Sequence, residues 1–155
     1  MSSIQDILFT EFELLKSELI SCYDELGMRA SGNWANELSL EISQNGATLL
    51  MPSYSDQLEY GRSPGKQPPS EVIIQWLTDK GIAIRLENEI SISSLAFLIA
   101  RKIGREGWNR DKYGGTELIS SVVTPERIQL IMNKVTDAEL ANFTQNIINS
   151  LNTIA

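Results

Sequence analysis

The segment NELSLEISQNGATLLMPSY, residues 36–54, permits fewer local structures than any other part of this chain. Leu38, Leu40 and Ile42 alternate with Ser39, Glu41 and Ser43, a period of two that predicts a half-buried strand. Asn45-Gly46 follows, the pair best suited to a tight hairpin turn, and ATLLM returns as a second strand up to Pro52. The rest of the pattern is helical. The expected fold is α+β: a small antiparallel β-hairpin or sheet packed with a long N-terminal helix and several further helices. At 155 residues, one domain spanning 1–155 is expected.

Ile4, Leu8, Phe12, Leu15, Leu19, Tyr23 and Leu26 recur at steps of three and four, predicting the long helix. Glu11, Glu13, Lys16 and Glu18 are expected mostly on its other side, and Gly27 at its end. A second apolar set, Ile7, Leu14 and Ile20, widens the stripe. Ser31–Asn33 signals a turn, and SYSDQLEYG predicts a short helical turn ending at Gly61. The prolines and glycines of RSPGKQPP, residues 62–69, demand a loop of defined shape. Pro69 then opens a short helix with Val72, Ile73, Trp76 and Leu77 on one face, closed by Gly81.

SISSLAFLIARKIGREG predicts a further helix with Ile92, Leu95, Ala96, Ile99 and Ile103 inward. Its bases Arg101, Lys102 and Arg105 sit near the C-terminal end, where cations suit the helix dipole. A polar loop, WNRDKYGG, follows. TPERIQLIMNKV opens with a Thr cap and Pro125 and predicts a short helix or extended piece. TDAELANFTQNIINSLNTI has its own capping box, Thr136 with Glu139, and a stripe at Leu140, Phe143, Ile147, Leu151 and Ile154.

Composition narrows the function. The chain has no histidine, which removes the commonest general base and metal ligand. No enzyme activity, metal or cofactor is expected. The lone Cys22 cannot form an internal disulfide and reads as a packing residue. Nothing approaches the ~20 apolar residues of a membrane span, and MSSIQDILFTEFELLK lacks the pattern of a signal peptide, so synthesis in a cytoplasm is expected. The net charge of −7 is unevenly spread. Residues 1–41 carry eight acids against Lys16 and Arg29, whereas residues 62–112 carry nine bases against six acids. Two unlike faces favour head-to-tail association of copies.

Three constellations invite a chemical reading. GRSPGK joins Gly61, Gly65 and Lys66, but a phosphate loop needs GxxxxGK[ST]; here Gln67 follows the lysine, and Pro68-Pro69 lack two amide donors. It reads as a shaped structural loop. Arg101, Lys102, Arg105, Arg110 and Lys112, with Trp108 and Tyr113, interleave bases and aromatics, and these could grip nucleic acid or anchor a protein interface. The carboxylate pairs Glu87/Glu89 and Asp24/Glu25 read as solvated surface. Trp34 and Trp76 read as core or subunit anchors, with Trp76 expected in the core.

The order of these pieces resembles the tail-completion or head–tail joining (neck) proteins of tailed bacteriophages. Gly32-Asn33 before the first strand, and Tyr54, Glu59 and Gly61 after the hairpin, fit that pattern. So do the proline-rich loop Pro64–Pro69, the Trp76–Gly81 helix end and the Ala96–Gly107 helix, for a coverage of about residues 1–120. Trp108 departs from it, since such proteins commonly carry a small polar residue there. The resemblance implies a non-enzymatic virion structural protein, made in the host cytoplasm, that forms a homo-oligomeric ring at the portal–tail junction. It implies portal, adaptor and tail proteins as partners, with passing contact to genomic DNA in the channel. Arg62, Lys66, Arg101, Arg105, Trp108, Arg110, Lys112 and Tyr113 are the expected contact residues. The alternative is a nucleic-acid-binding phage accessory protein using residues 101–113.

Overall fold

A computed structural model of the chain describes residues 3–44, 46–85, 90–108 and 117–154, with the side chains of Arg85 and Ile154 outside the description. Among the described residues there are six α-helices and one two-stranded antiparallel sheet, an α+β arrangement with a long N-terminal helix. The expected fold class is therefore found. The residues gather into two compact units. One comprises residues 1–21, 38–51 and 119–155, and the other residues 22–37 and 52–118.

α1, Ile4–Glu25, starts where Ser3 and Asp6 cap each other: the Asp6 amide donates to Ser3 Oγ (3.1 Å) and the Ser3 amide to Asp6 Oδ2 (3.0 Å). Gly27, at φ +64°, stops it as expected, with its amide on Asp24 O and the Met28 amide on Tyr23 O. Leu15, Leu19 and Tyr23 are buried along the predicted stripe.

In the first unit, β1, Ser39–Ser43, pairs with β2, Gly46–Leu50. Leu40 faces Leu49 and Ile42 faces Ala47 on the half-buried side, while Glu41 and Thr48 pair on the outer side. This is the predicted hairpin, its closing pair being Ser43 with Gly46, so that Gly46 belongs to the strand; Asn45 itself lies outside the described residues. The unit ends in α6, Pro125–Ile154. Thr124 Oγ1 accepts from the Arg127 amide at 3.1 Å, the cap expected at that point.

The second expected cap, at Thr136, is not a helix start. α6 runs through it for 30 residues. A cap signal acts only where the chain enters a helix; here no Gly or Pro interrupts residues 126–154, so amides near Thr136 already have carbonyl acceptors one turn back. Glu11 also departs from expectation. It is only 3% exposed and occupies the stripe position one turn before Leu15. Arg127 Nη1 reaches Glu11 Oε2 at 2.9 Å, Lys134 Nζ reaches Oε1, and Arg127 also bonds both oxygens of Glu18 at 3.1 Å. Charge compensation from α6 is what lets a carboxylate sit there.

The second unit is centred on Trp34 in α2, Asn33–Glu37. Its ring stacks on Tyr23 at 4.7 Å, and its Nε1 donates to Ser55 Oγ at 2.9 Å, so the buried indole keeps a polar partner. Ser55 opens α3, Ser55–Tyr60, and its hydroxyl donates to Pro52 O. Arg29 forks onto Asp24 and lies over the Tyr23 ring.

α4, Ser70–Asp79, packs on α5, Ile92–Glu106. Ile73 and Leu77 meet Ala96 and Ala100, with Ile92, Leu95, Ile99 and Ile103 around them. The two alanines let the helices approach closely. Burying Leu77 contributes about 1.5–3 kcal/mol. Trp76, expected in the core, is instead 41% exposed, and Val72 is exposed with it. The inner face of α4 is set by Ile73 and Leu77, and Val72 and Trp76 lie one residue step round from it.

Candidate interaction site

Loop 61–69 lies in the second unit and is held against the end of α5 by main-chain bonds. Arg62 and Trp108 form an antiparallel bridge, with Arg62 N to Trp108 O at 2.6 Å and Trp108 N to Arg62 O at 2.7 Å. Gly65 N donates to Gly104 O at 2.9 Å. Within the loop, Arg62 Nη2 donates to Lys66 O at 2.7 Å. Pro64, Pro68 and Pro69 restrict the remaining backbone, so few conformations compete with the docked one.

Two glycines make this approach possible. Gly107 ends α5 at φ +72°, its amide on Ile103 O at 2.8 Å. A Cβ there would run into the carbonyl oxygen of Arg62. Gly104 is helical, and a Cβ on it would stand 3.0 Å from Gln67 Cα. A side chain at Gly107 forces the loop off the helix end, whereas one at Gly104 asks Gln67 to give by a few tenths of an ångström.

The loop and helix end together display cations. Lys66, Arg101, Lys102 and Arg105 are exposed. Lys102 lies 4.0 Å from Glu106. Among the described residues no carboxylate pairs with Lys66, Arg101 or Arg105. Phe97 is exposed one turn before Arg101, and Leu98 one turn before Lys102, so apolar and basic surface adjoin along α5. Such a surface suits carboxylate or phosphate groups flanked by apolar contacts.

Of the expected contact residues, the fold brings Arg62, Lys66, Arg105 and Trp108 together at the loop–helix junction, with Arg101 one turn earlier on α5. Arg62 is half-buried and holds its own loop, so its role includes an internal one. Trp108 is half-buried and fixed through its backbone. Arg110, Lys112 and Tyr113, and the Glu87/Glu89 pair, lie outside the described residues. Gly104, Phe97 and Leu98 were not anticipated as parts of the site. A glycine inside an otherwise helical run is the signal that could have pointed to a close backbone approach at Gly104.

No protein family, curated protein or solved structure matches the chain. Among the described residues no helix is long and apolar enough to cross a membrane, and no three His, Cys, Asp or Glu residues come together as a metal site.

Proposed function

We infer that this chain is a non-enzymatic structural protein of a tailed bacteriophage, forming a homo-oligomeric ring at the head–tail junction. Its loop 61–69 and the end of α5 are the surface that meets a neighbouring subunit or a portal or tail protein. The observation that carries this reading is the docked loop. A surface segment fixed by three main-chain bonds, whose exposed bases have no carboxylate partner among the described residues, is pre-ordered for a rigid partner. The acid-rich residues 1–41 offer the opposite charge for a second copy to use.

The test has two parts. Quantitative mass spectrometry of purified particles should find this chain in a fixed ratio to the portal protein, roughly six or twelve copies per particle as the resemblance to phage neck proteins implies. The triple variant Lys66→Glu, Arg101→Glu, Arg105→Glu should fold normally yet leave heads and tails unjoined. Absence of the chain from particles sinks the reading. If the pure protein binds DNA with a strongly salt-dependent affinity that the triple variant loses, the same bases serve nucleic acid instead.

A further inference from the structure

α6 carries two apolar faces in succession. Ile131 is buried, and Val135, Ala138 and Asn142 are half-buried at steps of four, three and four, continuing from Arg127 of the ion cluster. This inner face stops at residue 142, beyond which every described side chain is exposed. On the opposite side, Glu126, Gln129, Asn133, Thr136 and Asp137 are polar. From residue 140 that outer side turns apolar: Leu140 is 60% exposed, Phe143 62%, Ile147 and Ile148 45% each, and Leu151 61%. The stripe is thus not the continuation of the intramolecular seam but faces away from it.

We propose that this outer stripe of α6, residues 140–151, is a docking surface for the same helix of a second copy of this chain. Three features favour that occupant. First, residues 140–155 contain no charged side chain, so identical helices meet without like-charge repulsion. An anionic lipid surface or a nucleic acid would find no base there to hold it.

Second, the polar groups beside the stripe are already satisfied within the helix. Thr144, Ser150 and Thr153 donate to the carbonyls of Leu140, Asn146 and Asn149 at 2.8 Å, and Gln145 bonds Asn149 at 3.0 Å. Burial against another helix therefore orphans few donors. Third, the exposed area suffices. The five side chains present roughly 500 Å² per copy, so a pair can bury at most about 1,000 Å², which just reaches the size of a specific interface. Leu140 and Leu151 are 11 residues apart, a spacing that stays on one face of a nearly straight helix.

The proposal stands independently of the phage reading, and its variants leave the basic loop untouched. The full chain is measured by sedimentation velocity over a wide concentration range, beside Phe143→Glu/Ile147→Glu. Both positions are solvent-exposed, so the variant should retain wild-type helicity by circular dichroism. The wild type should self-associate, and the variant should do so about a hundredfold or more weakly. A second readout is Leu140→Cys/Leu151→Cys in a Cys22→Ser background, which should cross-link two copies under mild oxidation whether the helices run parallel or antiparallel. A wild type that stays monomeric throughout, or association that the double variant keeps, overturns the proposal. So does flotation of the wild type, but not the variant, with phosphatidylcholine vesicles, which would give the stripe to lipid.

Discussion

Glu11 is the residue on which the first unit most depends electrostatically. Hydrogen bonds from Lys134 and then Arg127 hold its carboxyl below the ordinary glutamate range, against the opposing effect of burial. A carboxylate with a depressed native pKa contributes fully above its unfolded value, and the contribution fades as pH falls through that value toward the native one. Stability should accordingly drop on acidification below about pH 4.5. Asp6 and Asp24 are lowered too, by Ser3 and Arg29, so the comparison that isolates Glu11 is wild type against Glu11→Gln. The variant should be less stable at neutral pH and show a shallower acid limb in urea titrations. Glu11→Ala, which leaves Arg127 with Glu18 alone and takes the carboxylate from Lys134, should cost about 1.5–3 kcal/mol.

The two glycines of the site make a second residue-scale test. Gly107→Ala combines left-handed strain with a backbone collision and should cost about 2–4 kcal/mol in urea unfolding, whereas Gly27→Ala has strain alone and should cost about 1 kcal/mol. Equal losses would mean that the loop is not held against the helix. Neither Glu11 nor Gly104 was legible in the sequence, for one reason. The partners of Glu11 lie 116 and 123 residues along the chain, and Gly104 meets Gln67 across a loop. Periodicity reports which face a residue shares with its neighbours, not what distant segment arrives there.

At the level of elements, local signals served well where they acted alone. The period-two run and Asn-Gly pair sufficed for the hairpin, because alternation decides which side chains share a face; the closing pair, Ser43 with Gly46, depends on the turn and was not read from it. Helix ends were less certain. Thr124 and Thr136 both look like caps, yet only the first follows a break in helical structure. Thr124→Ala should lose about 1 kcal/mol of stability, while Thr136→Ala should lose none, since alanine is the better helix former. Thermal unfolding of both variants checks the pair; equal losses would mean that a helix does begin at Thr136. Trp76 shows the limit of a short helix. Ten residues permit two overlapping apolar faces, and the packing of α5 selected the one containing Ile73 and Leu77.

For the whole molecule, the acidic and basic regions were visible by counting, but which bases remain available was not. Among the described bases of the loop and α5, Arg62 belongs to its own loop, Lys102 stands near Glu106, and Lys66, Arg101 and Arg105 have no carboxylate partner. Reversing those three charges should lower the unfolding free energy by no more than about 1–2 kcal/mol, the cost of placing acids near the C-terminal end of α5. A large loss would assign them a structural duty and weaken the case for an interface.

The continuous run of α6 also has a mechanical consequence. Arg127 and Lys134 clamp the helix at Glu11, and its inner face stays half-buried as far as Asn142. Beyond that residue α6 continues for about 18 Å to its last turn. A tilt of about 10° at Asn142 would carry the tip through roughly 3 Å. The far end of the apolar stripe therefore has the widest choice of positions in which to meet another molecule.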